Sequence, residues 1–226
     1  MIVTIDGPAA AGKSTAARAL AERLGFDYLD TGAMYRAVTL AALRRGLPLS
    51  DEPALEKLAG SVQITFRGRA VFLDGEDVSE AIRDVEVTRA SRYVADNPAV
   101  RRHMVTLQRE AGRTGNIVTE GRDQGTVVFP DAACKIFLTA TPEVRAERRQ
   151  RELAARGQQI PLAQVLNDQA ERDRRDADRE IAPMVPAPDA IVLDTTAMSF
   201  EETVDKLEQV VRQAKDSGSG VESFGS

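Results

Sequence analysis

GPAAAGKST, residues 7–15, follows the short run IVTID (2–6) and leads into AARALAERLG (16–25). IVTID is apolar and rich in β-branched residues, which predicts a buried strand. The alanine-rich run predicts a helix, with Gly25 just past its end as the residue that can turn left-handed. Between them, Gly7, Gly12, Lys13 and Ser14 satisfy the G-x-x-x-x-G-K-[ST] pattern in the strand–loop–helix setting that gives it meaning. The glycines let the backbone wrap a phosphate, and the N–H groups at the helix start face it. Gly7, Pro8, Ala9, Ala10, Ala11, Gly12, Lys13, Ser14 and Thr15 are therefore expected to hold ATP. Lys13 would neutralise the β- and γ-phosphates and act in catalysis, and the Ser14 hydroxyl would ligate Mg²⁺, the expected cofactor.

Working outward, strands alternate with helices. FDYLD (26–30), GNIVTE (115–120), CKIFLTA (134–140) and AIVLD (190–194) read as strands. Helices are expected over 31–46, from Pro142 to about 156, over 162–180 and over about 200–215, the last opened by the capping box Ser199–Glu202. The alternation implies an α/β protein with a mainly parallel, doubly wound sheet. From Leu47 the rhythm changes. VQITFRG, RAVFLDG and EDVS read as a small antiparallel insertion, followed by a helical region over 84–113 in which Asn97-Pro98 starts a new helix. The expected organisation is a core of 1–46, 114–144 and 181–215, an acceptor-binding insertion of 47–113, a lid of 145–180 and a flexible Gly/Ser-rich tail of 216–226.

Composition removes several classes. The 226 residues are 42% hydrophobic and carry a net charge of −5, which opposes binding to nucleic acid or to an anionic membrane. One cysteine, Cys134, excludes an internal disulfide and fits a cytoplasmic setting. Its place in an apolar strand makes it a core residue. His103 is the only histidine and is expected on an exposed helix, so a multi-histidine metal site is excluded. MIVTIDG has no basic n-region before an apolar stretch, which predicts no signal peptide, and no window is long and apolar enough for a transmembrane helix.

The acceptor is suggested by arginines. DTGAMYR (30–36) places Arg36 on the first turns of a helix after a strand. EGRDQG (120–125) places Arg122 and Asp123 just past another strand, where open α/β sheets bind ligands. A planar guanidinium matches a phosphate bidentately. A phosphate acceptor is already anionic at neutral pH and needs no general base. A hydroxyl acceptor would need one, for which Asp30 or Asp123 would serve. In ERDRRDADRE (171–180), nine of ten residues are charged. Arg172, Arg175 and Arg179 share a helix face, and Asp176 can orient Arg172 or Arg179. With Arg145, Arg148, Arg149 and Arg151 upstream, the segment reads as a lid that supplies cations to the transferring phosphoryl group.

GPAAAGKST, LDTGAMYR, GEDVS (75–79), EGRDQGTVVFPDA (120–132) and RDRRDADR (172–179), in this order, resemble the bacterial cytidylate kinases of the nucleoside monophosphate kinase superfamily. The similarity covers about residues 1–215. It implies a P-loop fold with a parallel five-stranded sheet, a nucleotide-binding insertion and a helical lid. The implied reaction is phosphorylation of CMP and dCMP by ATP, in a monomer, the family's usual state. Arg36 and Arg122 would hold the monophosphate, with Thr31 beside it. Asp123 would accept from the exocyclic amine of cytosine, and Arg101 and Arg179 would donate to its N3 and O2. Arg172 and Asp176 would contact the ribose side and the lid, and Arg148, Arg172 and Arg179 would act in catalysis. One position departs: the family's base-reading serine falls on Arg92, with Ser91 one residue earlier and about 100° away around a helix. A P-loop kinase for UMP or a hydroxylated metabolite, and a nucleotide-dependent switch, are the alternatives.

Overall fold

The computed structural model describes residues 1–218 apart from 69, 114 and 156. Residues 219–226 of the predicted tail lie outside the described residues, and its first three continue the last helix instead.

The first unit comprises Met1–Leu29 and the chain from Gly112 onward. It is built on a five-stranded parallel sheet in the order β2-β6-β1-β7-β8. The strands are β1 (Ile2–Asp6), β2 (Asp27–Asp30), β6 (Ile117–Glu120), β7 (Cys134–Thr139) and β8 (Ile191–Asp194). β1 lies in the centre, in register with Ile117–Glu120 on one side and Cys134–Phe137 on the other. Its neighbours lie in opposite directions along the sheet, so its carboxyl end opens on the crevice where such sheets bind ligands. Helices α1 (Lys13–Leu24) and α8 (Phe200–Gly218) cover the sheet. Leu20 and Leu207 meet Ile5, Ile136 and Leu138 in the core, and all five side chains are almost wholly buried. Each stabilises the fold by about 2 kcal/mol through the apolar surface removed from water. Cys134 belongs to this core, and burial pushes its thiol up to about 11. Helices α6 (Pro142–Ala155) and α7 (Leu162–Ala177) pair through Ala146, Leu153 and Val165.

The second unit is Asp30–Ala111, which begins earlier than the insertion expected at 47–113. Helix α2 (Thr31–Arg44) packs on α3 (Glu52–Ser61), α4 (Val85–Asp96) and α5 (Pro98–Ala111), and so belongs with them. Strands β3 (Ile64–Arg67), β4 (Ala70–Leu73) and β5 (Glu76–Asp77) form the antiparallel sheet that was expected. Helix α3 was not anticipated. Its start is encoded in DEP, where Asp51 accepts from the Ala54 N–H at 3.0 Å and Pro53 sits in the first turn. Leu55, Leu58 and Ala59 form its buried stripe. The junction read at Asn97-Pro98 is present, with Asn97 Oδ1 accepting from Ala99 and Val100. The Ser199–Glu202 capping box is also formed, by reciprocal bonds of 2.8 and 3.2 Å. Helix α7 ends at Ala177 rather than continuing to Glu180. Among the described residues, no helix is long and apolar enough to cross a membrane.

Candidate active site

In the first unit, the chain leaves β1 through Gly7, whose φ of 140° is open only to glycine. A Cβ there would stand 2.0 Å from the Leu138 carbonyl oxygen. Ala10 and Gly12 follow at φ 58° and 92°, curling the loop into the start of α1. Lys13 is buried and its Nζ donates to the Pro8 carbonyl at 2.7 Å. Burial, with Arg122 and Arg172 nearby, pulls its pKa from 10.5 to about 7. Ser14 Oγ donates to Glu120 Oε1 at 2.9 Å, so a hydroxyl and a buried carboxylate meet at the mouth of the loop.

Glu120 ends β6, and the turn after it carries Arg122 and Asp123. That turn is fixed by Asp6 at the end of β1. Asp6 accepts from the Gln124 and Gly125 N–H groups at 2.9 and 2.7 Å. Burial raises the Asp6 carboxyl to about 6 even against these two donors. Asp123 is buried beside this anchor. Arg122 Nε donates to Asp176 Oδ2 at 2.9 Å, and Arg179 Nη2 donates to Asp176 Oδ1 at 2.6 Å. Asp176 is buried, which raises its pKa, but Arg122, Arg179 and Arg172 outweigh this and hold it below the usual carboxylate range.

Arg172 is exposed as a residue, yet desolvation of its guanidinium, with Arg122 nearby, lowers its pKa to about 10. Asp176 therefore pairs with Arg122 and Arg179, and Arg172 makes no hydrogen bond among the described residues. Arg148, on α6, reaches another part of the loop. It donates to the Thr195 carbonyl at 2.8 Å, to Thr195 Oγ1 at 3.1 Å and, at 3.4 Å, to the Ala11 carbonyl.

In the second unit, Asp30 caps α2 by accepting from Ala33 at 2.8 Å, and Thr31 is buried at the helix start. Arg36 Nη2 stands 3.5 Å from Asp30 Oδ1, while its buried Nε has no hydrogen-bond partner. Gly32 makes room for this guanidinium, since a Cβ would lie 2.9 Å from Arg36 Nη1. An under-satisfied guanidinium over the first turn of a helix is chemically suited to an anion. Arg101 is buried, 5.9 Å from the centre of the Tyr35 ring, and donates to the Ala95 carbonyl at 3.1 Å. On α4, Ser91 lies beside the buried stripe of Val87, Ala90 and Val94, and Arg92 points away to stack on exposed Tyr93. The serine one residue early in sequence thus holds the inward position.

Glu120, Asp6 and Asp173 were missed by sequence reasoning. Glu120 was detectable as a carboxylate at a strand end before Gly-Arg-Asp. Asp6 and Asp173 act on backbone groups of distant segments, and their spacing carries no such signal.

The cytidylate kinase family model matches residues 3–213. A cytidylate kinase of Pelotomaculum thermopropionicum is 53% identical over 210 residues, spanning 91% of this chain and 93% of that protein. A bifunctional pantoate ligase/cytidylate kinase of Synechococcus sp. is 50% identical over 219 residues, covering 94% of this chain but 40% of the relative's length. Among solved structures, a gluconokinase of Sinorhizobium meliloti has a TM-score of 0.52 at 17% identity, covering 97% of each chain, a likeness of fold.

Proposed function

We propose that this chain, which belongs to the cytidylate kinase family, transfers the γ-phosphoryl group of ATP to CMP and dCMP. The convergence of Arg122 and Arg172 on the buried Lys13, both near enough to lower its pKa, carries the reading, because gathered cations suit two phosphates meeting. An oxygen of the monophosphate, anionic at neutral pH, attacks the γ-phosphorus in line, and ADP leaves. No side chain has to remove a proton. Lys13 would neutralise the donor, Arg122 would grip the acceptor phosphate, and Arg172 would supply charge as negative charge spreads over the transferring oxygens.

Thr31 and Arg36 would hold the monophosphate as well. Asp123 would accept from the cytosine amine, where uracil offers only an acceptor oxygen, and Arg101 and Arg179 would donate to N3 and O2. Asp176 would keep Arg122 and Arg179 oriented. Ser91, rather than Arg92, would supply the family's base-reading hydroxyl. Ser14 and Glu120 are hard oxygen donors beside one another, which suits Mg²⁺. When bound there, Mg²⁺ would offset the charge of the triphosphate.

The test is ADP release from MgATP with CMP, dCMP, UMP, AMP, GMP or no acceptor. CMP and dCMP are expected to give the fastest turnover, with UMP behind. Fastest turnover with UMP, AMP or GMP would point to another acceptor, and equal ADP release without any acceptor would point to a switch protein.

A further inference from the structure

The outward side of the nucleotide loop is braced by two helices. Ala9, buried within the loop, has both backbone groups engaged by side chains far along the chain. Its N–H donates to Asp173 Oδ1 at 3.0 Å, and its carbonyl accepts from Arg145 Nη1 at 3.0 Å. Arg145 Nη1 and Asp173 Oδ2 are themselves paired at 2.5 Å, and both side chains are largely buried. Arg145 is held on two further sides. Its Nε donates to the Ala140 carbonyl at 3.0 Å, and its own carbonyl accepts from Gln169 at 3.2 Å. Next in the chain stands Ala10, a non-glycine residue at φ 58°. Such a conformation costs roughly 1 kcal/mol or more and persists where the surroundings over-determine it.

We propose that Arg145 and Asp173 are positioning residues for the phosphoryl donor, a latch by which α6 and α7 set the shape of the ATP loop. The proposal rests on the reading that residues 7–15 bind ATP. Neither side chain has to touch the nucleotide. By fixing the peptide groups on both sides of Ala9, they orient the next turn of the loop. The position of Asp173 on α7 adds a consequence. Asp176, three residues on, holds Arg122 and Arg179. Asp176 holds those arginines through bonds of its own, so loss of the Asp173 carboxylate alone acts first on the donor loop.

The experiment is calorimetric titration of the wild type, Asp173→Ala and Asp173→Asn with a non-hydrolysable ATP analogue plus Mg²⁺, and separately with CMP, alongside thermal denaturation. Asp173→Ala loses a charge-assisted hydrogen bond to the loop and should weaken the ATP analogue about tenfold. Asp173→Asn keeps an acceptor oxygen for the Ala9 N–H and should lose less. CMP affinity should fall by a smaller factor than ATP affinity in both. If the alanine variant fails to fold, the asparagine variant carries the comparison. Equal losses for both ligands would mean general loosening and overturn the latch, as would unchanged ATP affinity. A wild type that binds no ATP analogue would instead sink the donor-site reading, and the latch with it.

Discussion

The nucleotide loop and helix α7 both gather positive charge for an anion, and they handle it differently. In the loop a lysine is buried with a carbonyl as its hydrogen-bond acceptor, and its pKa drops to about 7. On α7 the cations are arginines, and carboxylates alternate with them: Asp173 takes Arg145, and Asp176 takes Arg122 and Arg179. A lysine can meet burial by shedding its proton, whereas an arginine stays charged and needs a counter-ion while the site is empty. Arg172, which feels Asp176 and Asp173 but makes no side-chain hydrogen bond among the described residues, keeps a pKa of about 10 and remains cationic at neutral pH. A phosphate beside Lys13 would raise its pKa again and make it fully cationic, whereas the arginines of the helix are charged throughout.

The sharpest way to break this contrast is Lys13→Met. Loss of a preorganised charge at the transferring group should lower kcat by roughly 10²- to 10³-fold, measured by ADP release. Stability should not fall with it. A basic group depressed from 10.5 to about 7 costs folding energy at every pH below its unfolded value. The variant should therefore be at least as resistant to urea at pH 7 as the wild type. A variant both inactive and unstable would make Lys13 a structural residue.

Asp176→Ala tests the other side. It leaves Arg122 and Arg179 facing each other in a buried place and should cost about 3 kcal/mol in urea denaturation at pH 7. The pH dependence has a definite sign. The folded pKa of Asp176 lies below 3.8, so its contribution is complete above that value and is lost as pH falls through the lowered one. The gap between wild type and variant should close in strong acid and nowhere near neutrality. A gap that closes around pH 6 would assign the effect to another group, Asp6 being the carboxyl raised to that range.

The same contrast explains what could be read in advance. The loop is contiguous, so its pattern and its strand–loop–helix setting were visible in nine residues. The central sheet and the caps at Asn97 and Ser199 were visible for the same local reason. The charged helix was recognisable as charged, and its Asp176–Arg179 pair, three residues apart, was readable, but its long-range pairings were not. Asp176 selects Arg122, 54 residues away, over Arg172 on its own helix. Asp173 reaches Ala9 across 164 residues. Helix α3 was overlooked because the strand pattern after it dominated the segment, although Asp51 and Pro53 announce it. Ser91 shows the limit of counting along a chain. The buried stripe of α4 decides which side chain faces inward, and a one-residue offset in a motif says nothing about that.

The smallest effect sharpens the comparison most, because it asks whether α7 reaches into the loop's own conformation. Ala10→Gly removes a side chain from a left-handed position and should raise stability by about 1 kcal/mol or less, seen as a modest rise in Tm. If the latch imposes that conformation, the gain depends on it. With Asp173→Ala in place, Ala10 is freer to relax, so the same glycine should contribute less. Residues coupled through a shared backbone constraint give such non-additive cycles, and independent ones do not. An identical gain in both backgrounds would mean that the loop holds Ala10 in place by itself. Asp173 would then be an ordinary surface anchor for α7, and the donor loop would owe its shape to Gly7, Gly12 and Lys13 alone.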